Sequence, residues 1–293
     1  MSPETESTLH RIGAQLDTNI FPLVKNGGIV MPNGPVINSS ILGTEKHDVR
    51  SKQRRPETRS RTRATEGQRS SYRSRPTGQT AQDVCPGLRA TYEDEIDAIL
   101  VAYPKTRVWR QKEGLWLLTP SGLLPGLRQN ATFLTGVPFI QSIPVRGWGF
   151  WPCSVWIGPR HTNFPDGSIC AYEPSDGTWS VGGSIVELLD LYSVWALRHL
   201  YLKRFGRWPG YQAVIHPFER ILELGKDEYC GCENRDSLYG DCCRDRDLAR
   251  NRAADAVNFM LWTGGGRREP PLAIMRFLLE QKQAPQILDL LRH

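Results

Sequence analysis

The chain has 293 residues, 39% of them hydrophobic, with a net charge of +6 and seven cysteines. Its longest apolar run, SIVELLDLYSVWALRHLYL, is broken by Glu187, Asp190, Arg198 and His199, which argues against a membrane span of ~20 apolar residues. The first residues lack the basic and apolar regions of a secretory signal, so a cytoplasmic protein is expected, with thiols serving as ligands, nucleophiles or core residues rather than disulfides.

Residues 1–83 carry little apolar material. Within them, Arg50 to Pro76 (RSKQRRPETRSRTRATEGQRSSYRSRP) holds nine Arg and one Lys against two Glu. Such a segment cannot bury enough apolar surface to offset its ordering entropy, so residues 1–83 are expected to lack regular structure. The patch NIFPLVKNGGIVMPNGPVI, full of Gly and Pro, is read as at most a docked extended segment. The basic run is either a solvated linker or a contact for nucleic acid or another acidic surface, held by phosphate pairing and counterion release.

Order is expected from about Val84. In CPGLRATYEDEIDAILVAYP, Thr91 and Asp94 resemble a capping box, and Tyr92, Ile96, Ile99, Leu100 and Tyr103 recur at helical spacing until Pro104. Four short runs follow, RVWRQ, GLWLLT, ATFLTGVPFIQSI and WGFWPCSVWIG, separated by Gly and Pro as in an antiparallel meander. Cys153, between aromatics in the last run, is expected to be buried and inert.

A second helix opens at Ser184 with Glu187 three residues on, and its apolar residues (Ile185, Leu188, Leu189, Tyr192, Trp195, Leu197) cover more than one face, so it is expected to be deeply buried. Helical patterns return in HPFERILEL, RDLARNRAADAVNFMLW, PPLAIMRFLLEQK and APQILDLLR. The elements make an α+β order: helix, four-stranded antiparallel meander, thiol-bearing loop, helices. Gly264 to Gly266 before Arg267-Arg268 lacks the Lys-Ser/Thr ending of a phosphate loop and is read as a connection.

The loop HTNFPDGSIC, His161 to Cys170, carries the chemistry. Asp166-Gly167 supplies a tight turn just before the single thiol, Asn163 an amide donor that could face an oxyanion, and His161 a group able to fix the loop by bonding to backbone. A lone cysteine in such a loop also fits a small buried residue beside a turn.

Together with WSVGGSI, this loop resembles the core signature of ubiquitin-conjugating enzymes, in which a His-Pro-Asn tripeptide precedes the active cysteine and a Trp-Ser-Pro segment opens the next helix. His161 and Asn163 match the tripeptide; Gly167, Ile169 and Cys170 match the cysteine approach; Trp179, Ser180 and Ile185 match the helix entry. Thr162 stands where the family has proline, and Val181 replaces the proline after Trp-Ser. The stretch from histidine to cysteine is one residue short and that from cysteine to tryptophan one long.

The resemblance spans roughly residues 86 to 225 and implies the family's fold, with Cys170, Asn163 and His161 as catalytic residues. Its chemistry is transfer of a ubiquitin-like modifier from an activating enzyme through a Cys170 thioester to a protein acceptor. It further implies a divergent bacterial relative, of the kind found in antiphage defence operons. Two alternatives stand beside it. One is an inactive relative serving as a binding scaffold for nucleic acid or a protein. The other is a cysteine hydrolase pairing Cys170 with His199 or His216.

YCGCENRDSLYGDCC places Cys230, Cys232, Cys242 and Cys243 as C-x-C, nine residues, C-C. Four thiols suffice for one structural tetrahedral Zn2+ and leave no open catalytic position. The alternative is reduced thiols or a redox pair at Cys242-Cys243. The arrangement resembles a short zinc-knuckle motif with a C-x-C part and a Y-x-x-C-C part, Tyr239 matching its tyrosine. Four regions are therefore expected: a basic N-terminal region over 1–83, a conjugating-enzyme-like domain over 84–228, a knuckle over 229–245 and a helical region over 246–293.

Overall fold

The computed structural model describes residues 3–18, 24–30, 36–37, 84–121, 130–172, 177–214, 216–232, 234, 236–264 and 268–291. The basic run Arg50–Pro76 lies outside the described residues, as do Gly265 to Arg267. Among the described residues no helix is long and apolar enough to cross a membrane.

Residues 3–18, 24–30 and 36–37 correct the expectation of no regular structure before Val84. Helix α1 (Pro3–Thr18) buries Leu9, Ile12 and Leu16, and strands β1 (Val24–Lys25), β2 (Gly28–Val30) and β3 (Val36–Ile37) pair as a small antiparallel sheet. Asn26-Gly27, both at positive φ, turn β1 into β2, a hairpin signal that the Gly- and Pro-rich composition obscures.

The meander forms as expected but has five strands rather than four: β4 (Arg107–Gln111), β5 (Gly114–Pro120), β6 (Thr132–Pro138), β7 (Arg146–Trp151) and β8 (Val155–Trp156), antiparallel in that order. β8 arises because the last run breaks at Pro152, and Cys153 in that break takes φ 63°. Cys153 is accordingly exposed, against expectation. Before the sheet, helical spacing yields two helices instead of one, α2 (Pro86–Asp94) and α3 (Ile96–Ala102). Thr91 is no cap. Its hydroxyl bonds back to the Gly87 carbonyl at 2.9 Å inside α2, whose N-cap is Cys85 followed by Pro86.

Alternate residues of the strands face two cores. Leu115, Leu117, Phe133 and Val137 pack with α1, α3 and the long helix α4 (Ile185–Phe205). The helices α5 (Pro217–Glu223), α6 (Arg244–Leu248), α7 (Arg252–Trp262), α8 (Leu272–Glu280) and α9 (Ile287–Leu291) complete the chain. Trp116, Leu118, Leu134 and Trp148, on the opposite face, pack with Ile274, Phe277, Ile287 and Leu291 of α8 and α9. A sheet covered on both sides needs apolar residues at consecutive positions, which is why GLWLLT reads as a continuous run.

α4 is the axis that positions the site. Ser184 caps it, accepting from the Glu187 N–H, and Glu95 at the α2–α3 break reinforces that end from 90 residues away. The Glu95 carboxylate accepts from the N–H groups of Ile185 at 2.8 Å and Val186 at 3.1 Å and from the Ser184 hydroxyl. A carboxylate on free N–H groups is favoured by the helix dipole. A Cβ at Gly147 or Gly149 would meet Tyr192 or Trp195 of α4 at 2.4 and 2.6 Å, so these glycines let β7 close against the helix.

Candidate active thiol and four-cysteine centre

HTNFPDGSIC folds as a tight antiparallel hairpin. Thr162 pairs with Ile169, the Asn163 N–H donates to the Ser168 carbonyl at 2.7 Å, and the Cys170 N–H donates to the His161 carbonyl at 3.0 Å. The Gly167 N–H closes the turn on the Asn163 carbonyl, and the Asp166 carboxylate accepts from the Ser168 N–H at 3.0 Å. Gly167 has φ 64°, and a side chain there would press on the Glu269 backbone. The hairpin is sewn to the sheet where the Ile169 N–H donates to the Gly147 carbonyl at 2.7 Å, and Asp166 pairs with Arg146. Cys170 therefore stands at the base of the returning strand, half-buried and in no disulfide.

Asn163 is spent on the hairpin itself. Its amide nitrogen donates to Ser168 Oγ and to the Ile169 carbonyl, each at 3.2 Å, bracing the residues next to Cys170. His161 has φ 51°, a strained setting for a non-glycine residue. That conformation lets its carbonyl serve both Cys170 and the Trp195 indole N–H, the latter at 2.9 Å. Its ring packs on Trp208, centroids 4.4 Å apart, with Nε2 at 3.3 Å from Gln212 Oε1. Burial, with help from the Arg160 and Arg198 cations, lowers its pKa to about 3. The ring is a neutral brace at physiological pH, so His161 shapes the loop through its backbone and its packing.

The histidines considered as bases for a hydrolase are engaged elsewhere. His199 Nε2 lies 2.8 Å from the Arg160 carbonyl, and burial lowers its pKa to about 3. His216 caps α5, its Nδ1 accepting from the Phe218 N–H at 3.2 Å. Two phenols lie close enough to the thiol to feel its charge. Tyr172 stacks edge-on against buried Trp179 and donates to the Val145 carbonyl, and burial raises its hydroxyl to about 12, with Tyr92 and Cys170 adding to the rise. Tyr192 on α4 is fully buried, and burial raises it well above the usual tyrosine range. Both therefore stay protonated.

The second centre assembles as the cysteine spacing suggests. The sulfurs of Cys230, Cys232, Cys242 and Cys243 all lie within 4.8 Å of one another. Cys232 and Cys242 stand 3.6 Å apart and Cys242 and Cys243 3.7 Å. A tetrahedral cation with metal–sulfur bonds of ~2.3 Å needs sulfurs about 3.8 Å apart, so the four fit one metal ion. Burial pushes the Cys230 and Cys242 thiols up, the latter to about 11, so a bound cation would supply the charge that their deprotonation requires.

The chain wraps the centre by pairing Tyr229 with Leu238, by the Cys230 N–H on the Ser237 carbonyl at 2.8 Å, and by buried Tyr239. Gly231 is needed for close approach: a Cβ there would stand 2.2 Å from the Val214 nitrogen. Arg246 donates to Cys243 Sγ at 3.0 Å. The neighbouring Arg220–Asp247 pair, doubly bonded at 2.8 Å and buried, ties α5 to α6.

Arg160, Gln212, Glu223 and Glu228 escape a reading of the sequence. They are polar, and polarity along a chain signals exposure unless a partner is known. Their only local mark is place: Arg160 adjoins His161, and Glu228 precedes Cys230 by two. Comparison with family models, with curated proteins and with solved structures returns no match for this chain.

Proposed function

We propose that Cys170 carries an acyl group as a thioester and passes it to an amine, in the manner of the ubiquitin-conjugating enzymes that the hairpin and helix-entry residues resemble. The observation that carries this reading is the hairpin: a half-buried thiol on an internally bonded turn, whose His161 carbonyl is held by Trp195 of the buried helix α4. The order of helix, antiparallel meander, thiol hairpin and long buried helix agrees with that family's fold.

In the first step the Cys170 thiolate attacks the carbonyl of a modifier held as a thioester on an activating enzyme. A new carbon–sulfur bond forms, the old one breaks, and the donor sulfur leaves with the electron pair. In the second step an acceptor amine attacks the Cys170 thioester. The carbon–nitrogen bond forms, Cys170 leaves as thiolate, and the amine proton passes to solvent. Neither step needs a histidine base, in keeping with a His161 whose pKa of about 3 makes it a poor proton acceptor and a His199 turned to backbone. Asn163 serves as the brace that holds Ile169 and hence Cys170 in place. The four cysteines hold one zinc ion with a structural role, and the protein works with a ubiquitin-like modifier, its activating enzyme and a protein acceptor.

The test uses a synthetic peptide ending in Gly-Gly as its alkyl thioester. Incubation should add the peptide's acyl mass to Cys170, reversibly with dithiothreitol and faster in discharge when lysine is added. The Cys170→Ala protein should show no such adduct. An adduct that persists in Cys170→Ala, or turnover to free peptide acid that lysine leaves unchanged, would overturn the acyl-carrier reading.

A further inference from the structure

The two cysteine sites are joined by a buried ionic network. Arg160, which opens the thiol hairpin, is only 7% exposed. Its guanidinium donates to Glu228 Oε2 at 2.7 Å, to Gln212 Oε1 at 2.5 Å and to the Glu223 carbonyl at 2.6 Å. Glu228, 1% exposed, also accepts from the Trp208 N–H at 2.6 Å and from the Gln212 amide at 3.3 Å. Gln212 closes the circuit: its oxygen meets His161 Nε2, and its amide donates to the Tyr229 carbonyl at 3.2 Å.

Each end of this network is covalently next to a site. Glu228 precedes the ligand Cys230 by two residues, and its carbonyl accepts from the Tyr239 N–H inside the cysteine module. Arg160 precedes His161, whose carbonyl holds the Cys170 N–H. If the Glu228 segment moves, Arg160 loses its carboxylate partner at 2.7 Å and keeps only Glu223, 3.5 Å away and shared with Arg268, so a shift of that segment is felt at Arg160. A joint opening of the module and the hairpin would break this pairing, and a cation that gathers the four sulfurs would favour the paired arrangement.

We infer that Arg160 and Glu228 are positioning residues through which metal binding at Cys230, Cys232, Cys242 and Cys243 sets the accessibility of Cys170. The inference rests on the reading of Cys170 as the reactive thiol, but its test needs no acyl donor. Full-length protein, loaded with zinc or stripped by a chelator, is treated with iodoacetamide, and alkylation at each cysteine is followed by peptide mass spectrometry. Cys85, half-buried at the start of α2, reports whether the rest of the fold persists.

Stripping should speed Cys170 alkylation by about 10-fold, within the usual range of coupling between sites, while Cys85 is unchanged. Zinc-loaded Glu228→Gln should retain its metal yet show the fast Cys170 rate, and its rate should no longer respond to the chelator. Ile287→Ala, destabilising in the core on the other face of the sheet, should keep the full response. If stripping exposes Cys85 as well, the zinc-loaded Glu228→Gln comparison decides. A Cys170 rate within about 2-fold of wild type in that variant overturns the inference, as does indifference of Cys170 to metal removal. Loss of peptide transfer with coupling intact would instead remove the acyl-carrier reading and leave this one standing.

Discussion

Replacing Asn163 by alanine removes the two donors that lock the thiol hairpin. The acceptors left behind are Ser168 Oγ and the Ile169 carbonyl, on residues 0% and 3% exposed, so neither regains water easily. A hydrogen bond of this kind contributes about 1 kcal/mol net, and a stranded buried acceptor adds to the loss, giving about 2–3 kcal/mol in all. At about 2–4 °C per kcal/mol for a domain of this size, the melting temperature should fall by about 5–10 °C in scanning calorimetry.

Asn163→Asp should be at least as harmful, because a carboxylate would face the Ile169 carbonyl where a donor stood. Since Ile169 adjoins Cys170, charging with the peptide thioester and discharge to lysine should decline together. An unchanged melting temperature, with charging intact and discharge alone slowed by ~100-fold, would refute the brace and make Asn163 an oxyanion donor.

Gly231→Ala should push the cysteine module off Val214, lowering bound zinc below one per chain by elemental analysis and destabilising the protein by about 1–3 kcal/mol; unchanged metal content would contradict the close approach. His161 and His199 both have folded pKa values of about 3, below the unfolded 6.5, so their contribution is full above pH 6.5 and lost as pH falls from there toward 3. Each costs about 2 kcal/mol at pH 5, while Glu223, raised to about 7 by burial, acts in the opposite sense. His199→Gln should therefore show a shallower decline in urea-melt stability between pH 7.5 and 5, by about 2 kcal/mol; parallel curves would show that His199 is not held neutral. Ile12→Ala should cost about 2–4 kcal/mol, because α1 packs on α4 through Leu9, Ile12 and Leu16 and is tied down by Asp17 on Arg207 at 2.6 Å. A neutral result would place α1 outside the folded core.

What the sequence determined by itself is what depends on near neighbours. Ser184 three residues before Glu187 marks the start of α4, apolar runs cut by Gly and Pro mark β4 to β7, and cysteine spacing marks the four-sulfur centre; each signal acts within a turn, a strand or a short loop. The tertiary structure decided the rest, because its partners lie far apart along the chain. Glu95 caps a helix 90 residues away. Asp190 accepts the N–H groups of Asn26 and Gly27 across more than 160 residues, so the N-terminal hairpin is ordered although its own composition supplies too little apolar surface. Asn163 has the residue type for an oxyanion donor, and only the fold shows its amide turned inward onto Ile169. The dry Arg160–Glu228 pair is the clearest case: either residue alone reads as solvent-facing, and burial becomes tolerable only once folding brings the opposite charge to 2.7 Å.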